Sequence, residues 1–340
     1  MDFKHVRKKS AALTIQAAAT IMVILCIVVL GPGLFELEGS QALAQAGDCS
    51  NTADEALAAC YSEADDDYHI ARGNCYNLPD EPPGARDECF ASAENELTEA
   101  EGLCDDQLTA RQAICEVLGE GPYDPEIDPA NFVNPRRIGK TIKPNRYFPL
   151  VPGTVWEYIT KEEGEVIETI EVEVLKETKK ILGVRCIVVL DRVWEIDEEG
   201  DKSLIEKTHD WYAQDKDGNV WYFGEISQEF EDGELISLEG SWKAGVDGAK
   251  AGILMKAHPE EGDLYRQEFA LGDAEDMAEV VGFKDSIKVR GKTYKNVLQT
   301  REFTPIEPDG EEFKYYAPRV GLVREVNPDG GRVILVKKTP

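Results

Sequence analysis

Histidine is scarce in this chain. Four occur in 340 residues: His5, His69, His209 and His258. A Ser-His-Asp triad needs a histidine poised beside its nucleophile, and no G-x-S-x-G, H-E-x-x-H, Walker A or dinucleotide fingerprint accompanies them. No catalytic residue is therefore expected, and no cofactor. Closely spaced cysteine pairs of the C-x2-C kind are missing too, since the two nearest cysteines stand 11 residues apart, so no metal site is expected. Positive charge is short: 37 Lys and Arg oppose 66 Asp and Glu, a formal net charge of −29. That excludes nucleic acid and anionic membrane surfaces as partners, because both need a cationic face. The charge serves solubility, with cation binding the other reading.

What is present begins with an export signal. Lys4, Arg7, Lys8 and Lys9 precede an apolar run from Ala11 to Leu30, and Gln41-Ala-Leu-Ala-Gln-Ala46 offers A-x-A-like sites. Cleavage is expected after Ala46, with Ala44 as the other site. The run is also long enough to span a bilayer, so an uncleaved anchor at residues 11–30 is the alternative. Either way the remainder is exported, to the periplasm or beyond. The membrane is touched only through an uncleaved N-terminal segment.

Six cysteines are spaced as a mirror image. Cys49, Cys60, Cys75, Cys89, Cys104 and Cys115 are symmetric about Pro82, inside Leu78-Pro-Asp-Glu-Pro-Pro-Gly84. Around them, apolar and alanine positions recur every three or four residues, the stripe of an amphipathic helix. Two antiparallel helices joined at Pro82 would pair Cys49–Cys115, Cys60–Cys104 and Cys75–Cys89. So thin a stripe cannot hold a hairpin together alone. One bridge closing about 15 residues supplies roughly 3 kcal/mol in the chain-entropy model.

Composition divides the chain further. Residues 47–120 hold 19 acidic residues, three arginines and no lysine. Residues 121–153 carry seven prolines, which remove amide donors, and read as an extended linker. From residue 154 the period changes to two, with runs such as Val166–Leu175, Val184–Trp194 and Leu204–Gln214 between Asp-Gly and Gly-Asn turns. The expected fold is α+β: a disulfide-stapled antiparallel helical hairpin (47–120) after the 1–46 signal or anchor, then the linker (121–153). A mostly antiparallel β-domain (154–340) follows, as a meander, curved sheet or barrel. That domain is expected to fold alone.

Within the β-domain, Asp215-Lys-Asp-Gly-Asn219 starts like a calcium loop. Its twelfth position is Ile226 rather than glutamate, and a strand follows, so a hairpin turn is expected. Cys186 has no partner in the mirror set and sits among apolar residues, as an inert buried thiol would. Trp211-Tyr212 and Trp221-Tyr222-Phe223 fall where facing strands would cluster aromatics, and with Trp156, Tyr158, Trp194 and Trp242 they could line a ligand cavity inside a curved sheet. Trp211, Tyr212, Trp221 and Trp242, with Tyr265 and with His258 and Arg266 at the rim, form the expected ligand-binding set. Met255 and His258 offer two soft-metal ligands, and two do not make a site.

Three stretches, Tyr147-Phe-Pro-Leu-Val-Pro-Gly-Thr-Val-Trp-Glu-Tyr158, Asp210–Glu225 and Ala257–Glu268, resemble motifs of uncharacterised secreted bacterial proteins. The likeness spans roughly residues 147–326. It implies an envelope or extracellular protein with a β-rich domain, and carries over no activity.

The first functional expectation is a non-enzymatic exported binding protein, its curved sheet enclosing an apolar or amphipathic small molecule. The second is a structural or protein-interaction module of the envelope, with the hairpin as a rigid arm and an envelope protein as partner. The third is a hydrolase acting on envelope material. A concave cavity favours the first, a filled core the second, and carboxylates converging in a cleft the third.

Overall fold

Two long helices open the described chain. The computed structural model describes residues 47–79, 81–328 and 330–340; the signal or anchor expected in residues 1–46 lies outside them. Helices α1 (Asp48–Asn77) and α2 (Ala85–Leu118) form the hairpin. Cys49–Cys115, Cys60–Cys104 and Cys75–Cys89 join them, with Cα separations of 5.7, 5.8 and 5.6 Å. The buried stripe is as sparse as expected: Ala53, Ala56, Ala64, Ala93 and Ile114 are its apolar members beside the cysteines. Among the described residues no helix is long and apolar enough to cross a membrane.

Sixteen antiparallel strands follow. They are β1 (Val155–Glu162), β2 (Glu165–Ile181), β3 (Val184–Ile196), β4 (Lys202–Gln214), β5 (Val220–Ile226), β6 (Glu229–Glu231), β7 (Glu234–Ser237) and β8 (Trp242–Lys243). The rest are β9 (Lys250–Met255), β10 (Leu264–Arg266), β11 (Glu268–Phe269), β12 (Met277–Val289), β13 (Lys292–Phe303), β14 (Glu312–Ala317), β15 (Gly321–Val326) and β16 (Arg332–Thr339). The sheet runs β10-β12-β13-β14-β15-β16-β1-β2-β3-β4-β5-β9-β11. Its two ends meet, because only Gln267 separates β10 from β11. The single stretch 264–269 pairs with β12 on one side and β9 on the other, and the sheet is nearly a barrel. Gly252 makes that seam possible: a Cβ there would lie 2.4 Å from the Gln267 carbonyl carbon, so only glycine lets β9 approach so closely.

The turns follow the sequence. Asp215 shows why its loop is a hairpin rather than a calcium site. Its carboxylate accepts the amides of Gly218 (2.7 Å) and Asn219 (2.8 Å), the Asn219 side chain (2.7 Å) and the Trp221 indole (2.9 Å). Those oxygens are committed to the turn. Cys186 is buried, and burial pushes its thiol up to about 12.

Residues 121–153 are not a spacer. Ile138, Tyr147 and Leu150 belong to the β-domain core, and two 3-10 turns, Pro129–Asn131 and Pro135–Arg137, begin at prolines whose missing amides cost nothing there. Asn145 stitches the segment down. Its side chain accepts from the Tyr147 and Phe148 amides at 2.8 and 2.9 Å and donates to Gly218 O (2.8 Å) and Lys256 O (3.2 Å). Arg136, Arg137, Lys140, Lys143 and Arg146 stay exposed. The proline count read as a linker because proline reports lost amides, not lost burial. Each lost core side chain costs about 2–5 kcal/mol. A fragment beginning at Gly121 should therefore unfold cooperatively on heating, and one beginning at Thr154 should not. A sharp melting transition from residues 154–340 alone would contradict this.

Candidate functional site

Strand alternation builds a cavity of about 260 Å³ inside the barrel. On one wall stand Trp156 and Tyr158 of β1, Val172 and Val174 of β2, Val189 and Asp191 of β3, and Asp210 and Tyr212 of β4. Leu254, Glu302, Lys314, Tyr316, Leu322 and Glu325 face them, and Phe148-Pro-Leu150 covers one end. Trp156 is held by its indole N–H donating to Val320 O at 2.7 Å. The Tyr158 hydroxyl donates to Leu322 O at 3.3 Å.

The cavity is amphipathic, and its polar part is mostly acidic. Lys314 Nζ lies 3.0 Å from Glu302, 3.3 Å from Glu312 and 3.7 Å from Glu325. Glu302 also accepts the hydroxyls of Tyr316 and Thr300, each at 2.9 Å. Across the cavity the Tyr222 hydroxyl donates to Asp210 at 2.7 Å, and Tyr222 stacks on Tyr212 with centroids 4.6 Å apart. Asp191 Oδ1 has no hydrogen-bond partner. Burial pushes Asp210 up to about 6, with Glu206 adding repulsion. Burial and the charge of Asp210 hold Asp191 well above the ordinary carboxylate range. Glu325 is raised to about 7 by burial, against the pull of Lys314.

Glu302 and Lys314 also line an adjoining cleft of about 320 Å³. It is bounded by Glu225 of β5, Glu268 of β11, the 273–276 loop and the connection from β13 to β14. Burial, then the charge of Asp210, pushes Glu225 up to about 8. Burial pushes Asp276 up to about 6. Among the described residues, no three His, Cys, Asp or Glu side chains gather as metal ligands would.

The structure disperses most of the expected ligand-binding set. Tyr212 lines the cavity. Trp242 packs edge-on against Tyr222 at 5.3 Å, and borders a separate groove together with Trp211. Trp211 itself lies under Lys179 Nζ, 3.3 Å from its ring centre. Neighbours on a strand point to opposite faces, so Trp211 and Tyr212 do not share a site. Trp221 is fixed by Asp215 and packs on Phe132 at 6.1 Å. His258 is exposed beside Lys143 and Arg146, in another groove. Tyr265 is buried with its hydroxyl unpartnered. Arg266 sits beneath the hairpin, against Tyr123 (5.5 Å) and Phe269 (5.0 Å), not at a rim. Trp156 and Tyr158 line the cavity, as the aromatic pattern suggests, but Asp191, Asp210, Glu302 and Lys314 were missed. Their signal was an acid in phase with apolar neighbours, as in Val189-Val-Leu-Asp191 and Asp210-Trp-Tyr212.

No family model matches the chain, and no curated protein matches it. Two solved structures are similar to part of it. One is of a candidate exported protein with a YmcC-like fold from Bacteroides fragilis NCTC 9343 (TM-score 0.33, 14% identity, covering 58% of this chain and 100% of that one). The other is of a candidate lipoprotein from Parabacteroides distasonis ATCC 8503 (TM-score 0.32, 13% identity, with the same coverage of both chains). Likeness at that level carries no argument about what this chain does.

Proposed function

We propose that the protein is a non-enzymatic, exported binding protein of the bacterial envelope, and that the barrel interior holds a small amphipathic ligand. The export signal and three disulfides fit an oxidising compartment outside the cytoplasm. The observation that carries the ligand is the amphipathic cavity itself, with one side of Trp156, Tyr158, Val172, Val174 and Leu254 and another of carboxyls and Lys314. Concave, mostly apolar sites with a few polar groups are where small molecules bind. Titration with neutral amphiphiles such as long-chain alcohols and quinones should change tryptophan fluorescence through Trp156. Val172→Phe, which fills the cavity, should weaken binding about tenfold, the worth of about 1.4 kcal/mol. If a broad panel leaves the fluorescence unchanged, the reading fails.

Hydrolysis of envelope material is the second reading, favoured by Asp191 and Asp210. They face one cavity from neighbouring strands, and burial raises both above the ordinary carboxylate range, so a carboxyl there can hold a proton to donate. Turnover of a glycan or ester that Asp210→Asn abolishes would support it over simple binding.

A further inference from the structure

The cleft beside the cavity holds a buried carboxyl with one unpartnered oxygen. Glu268 is 6% exposed, its backbone is fixed at the barrel seam opposite Ala251, and its Oε2 has no hydrogen-bond partner. A buried acid without a partner is costly, and a cation placed against it removes that cost. Lys314, the cation at the cleft floor, cannot serve, because Glu302, Glu312 and Glu325 already surround it. The other charged residues lining the cleft are acids, Glu225 and Asp276 among them.

We propose that this cleft binds a linear polyamine. The carboxyls are spread along the cleft rather than gathered around one point, and no three of them among the described residues could share a metal ion. Phe303 and Ile306 share the lining with the acids. Acids together with apolar surface suit ammonium groups separated by methylenes, each ammonium forming charge-assisted hydrogen bonds and each methylene run covering apolar surface.

The hairpin holds the cleft open. Arg111 of α2 grips Glu275, the neighbour of Asp276, with Nη2 2.7 Å from Oε1 and Nε 3.1 Å from Oε2. One helical turn away, Gln107 donates to Ile306 O at 2.9 Å, on the opposite lip. Both lips are therefore tied to one disulfide-braced helix, so little ordering is left for a ligand to impose. The buried acids, raised by desolvation, are groups that a bound cation would draw into their ionised form.

The inference goes beyond the amphiphile reading and can fail separately from it, since that reading is tested with neutral ligands. The test is calorimetric titration of the whole exported protein at pH 7.5 with spermidine, with n-butylamine and with calcium chloride. Spermidine should saturate one site, with butylamine weaker by about tenfold or more, the worth of one charged hydrogen bond. Glu268→Gln should weaken spermidine about tenfold or more while keeping the melting temperature at or above that of the parent, because the amide removes a buried acid. Glu225→Gln provides the same readout independently. Glu198→Gln, in an exposed turn, should change nothing. Spermidine affinity unchanged by both Glu268→Gln and Glu225→Gln would mean general attraction to a chain of net charge −29, and would overturn the proposal. So would calcium binding that excludes spermidine.

Discussion

Arg111→Met should lower the stability of the chain by about 3–5 kcal/mol, while Arg111→Met combined with Glu275→Met should recover most of that loss. The asymmetry comes from burial. The Arg111 side chain is 7% exposed and that of Glu275 is 2% exposed, so removing the guanidinium strands a carboxylate away from water. What remains to it is the Gly272 amide at 3.0 Å, one hydrogen bond where there were four. Removing both charges leaves two apolar side chains packed together, which is often no less stable than the ion pair. Urea denaturation of the parent, both single variants and the double variant decides the matter. Hydrogen exchange adds the location, since Arg111→Met should loosen the last turns of α2 and the 272–276 loop first. Nearly additive losses in the double variant would show that the pair is not coupled and that the hairpin docks by other contacts.

That pair also marks where the sequence was legible and where it was not. The hairpin could be read because its information is local. Six cysteines at mirrored spacing need only a helical period and one turn to specify three bridges, and the bridges are those three. The meander was readable for the same reason, since alternation and Asp-Gly turns act over a few residues. Arg111 lay in the hairpin's stripe, but its partner is 164 residues away, and nothing local announces it. Closure of the barrel was hidden in one glycine, Gly252, whose need appears only when the Gln267 backbone arrives against it. The candidate site was the least legible part. Aromatics drew attention to Trp211 and Trp221, whereas the cavity is defined by acids that charge alone marks as surface. Asp191, Asp210 and Glu302 become interior only when strands far apart in sequence close over them.

Those interior acids should make the protein more stable in mild acid than in mild base. An ordinary surface carboxylate that gains a partner on folding is depressed and stabilises at high pH. Here the shift runs the other way. Burial raises Asp210 and Asp276 to about 6, Glu325 to about 7 and Glu225 to about 8, and it holds Asp191 and Glu268 well above their usual range. Between the unfolded carboxylate value near 4 and these folded values, the native state binds more protons than the unfolded chain. The contribution is therefore whole below about pH 4 and is lost as pH rises through 6 to 8. One group works against it at the acid end: Asp263, lowered by Lys256 against the opposing effect of burial, loses its share when protonated. Stability should then peak near pH 5, between the two effects, and fall steadily to pH 8.5. Calorimetric melting at constant ionic strength across that range tests it. Glu225→Gln should raise the melting temperature at pH 8, leave it nearly unchanged at pH 5, and so flatten the slope. A melting temperature that stays level or climbs from pH 5.5 to 8.5 would mean that water reaches these carboxyls and that the barrel interior is open. In that case the amphipathic cavity and the acidic cleft would be parts of a single solvent-filled channel.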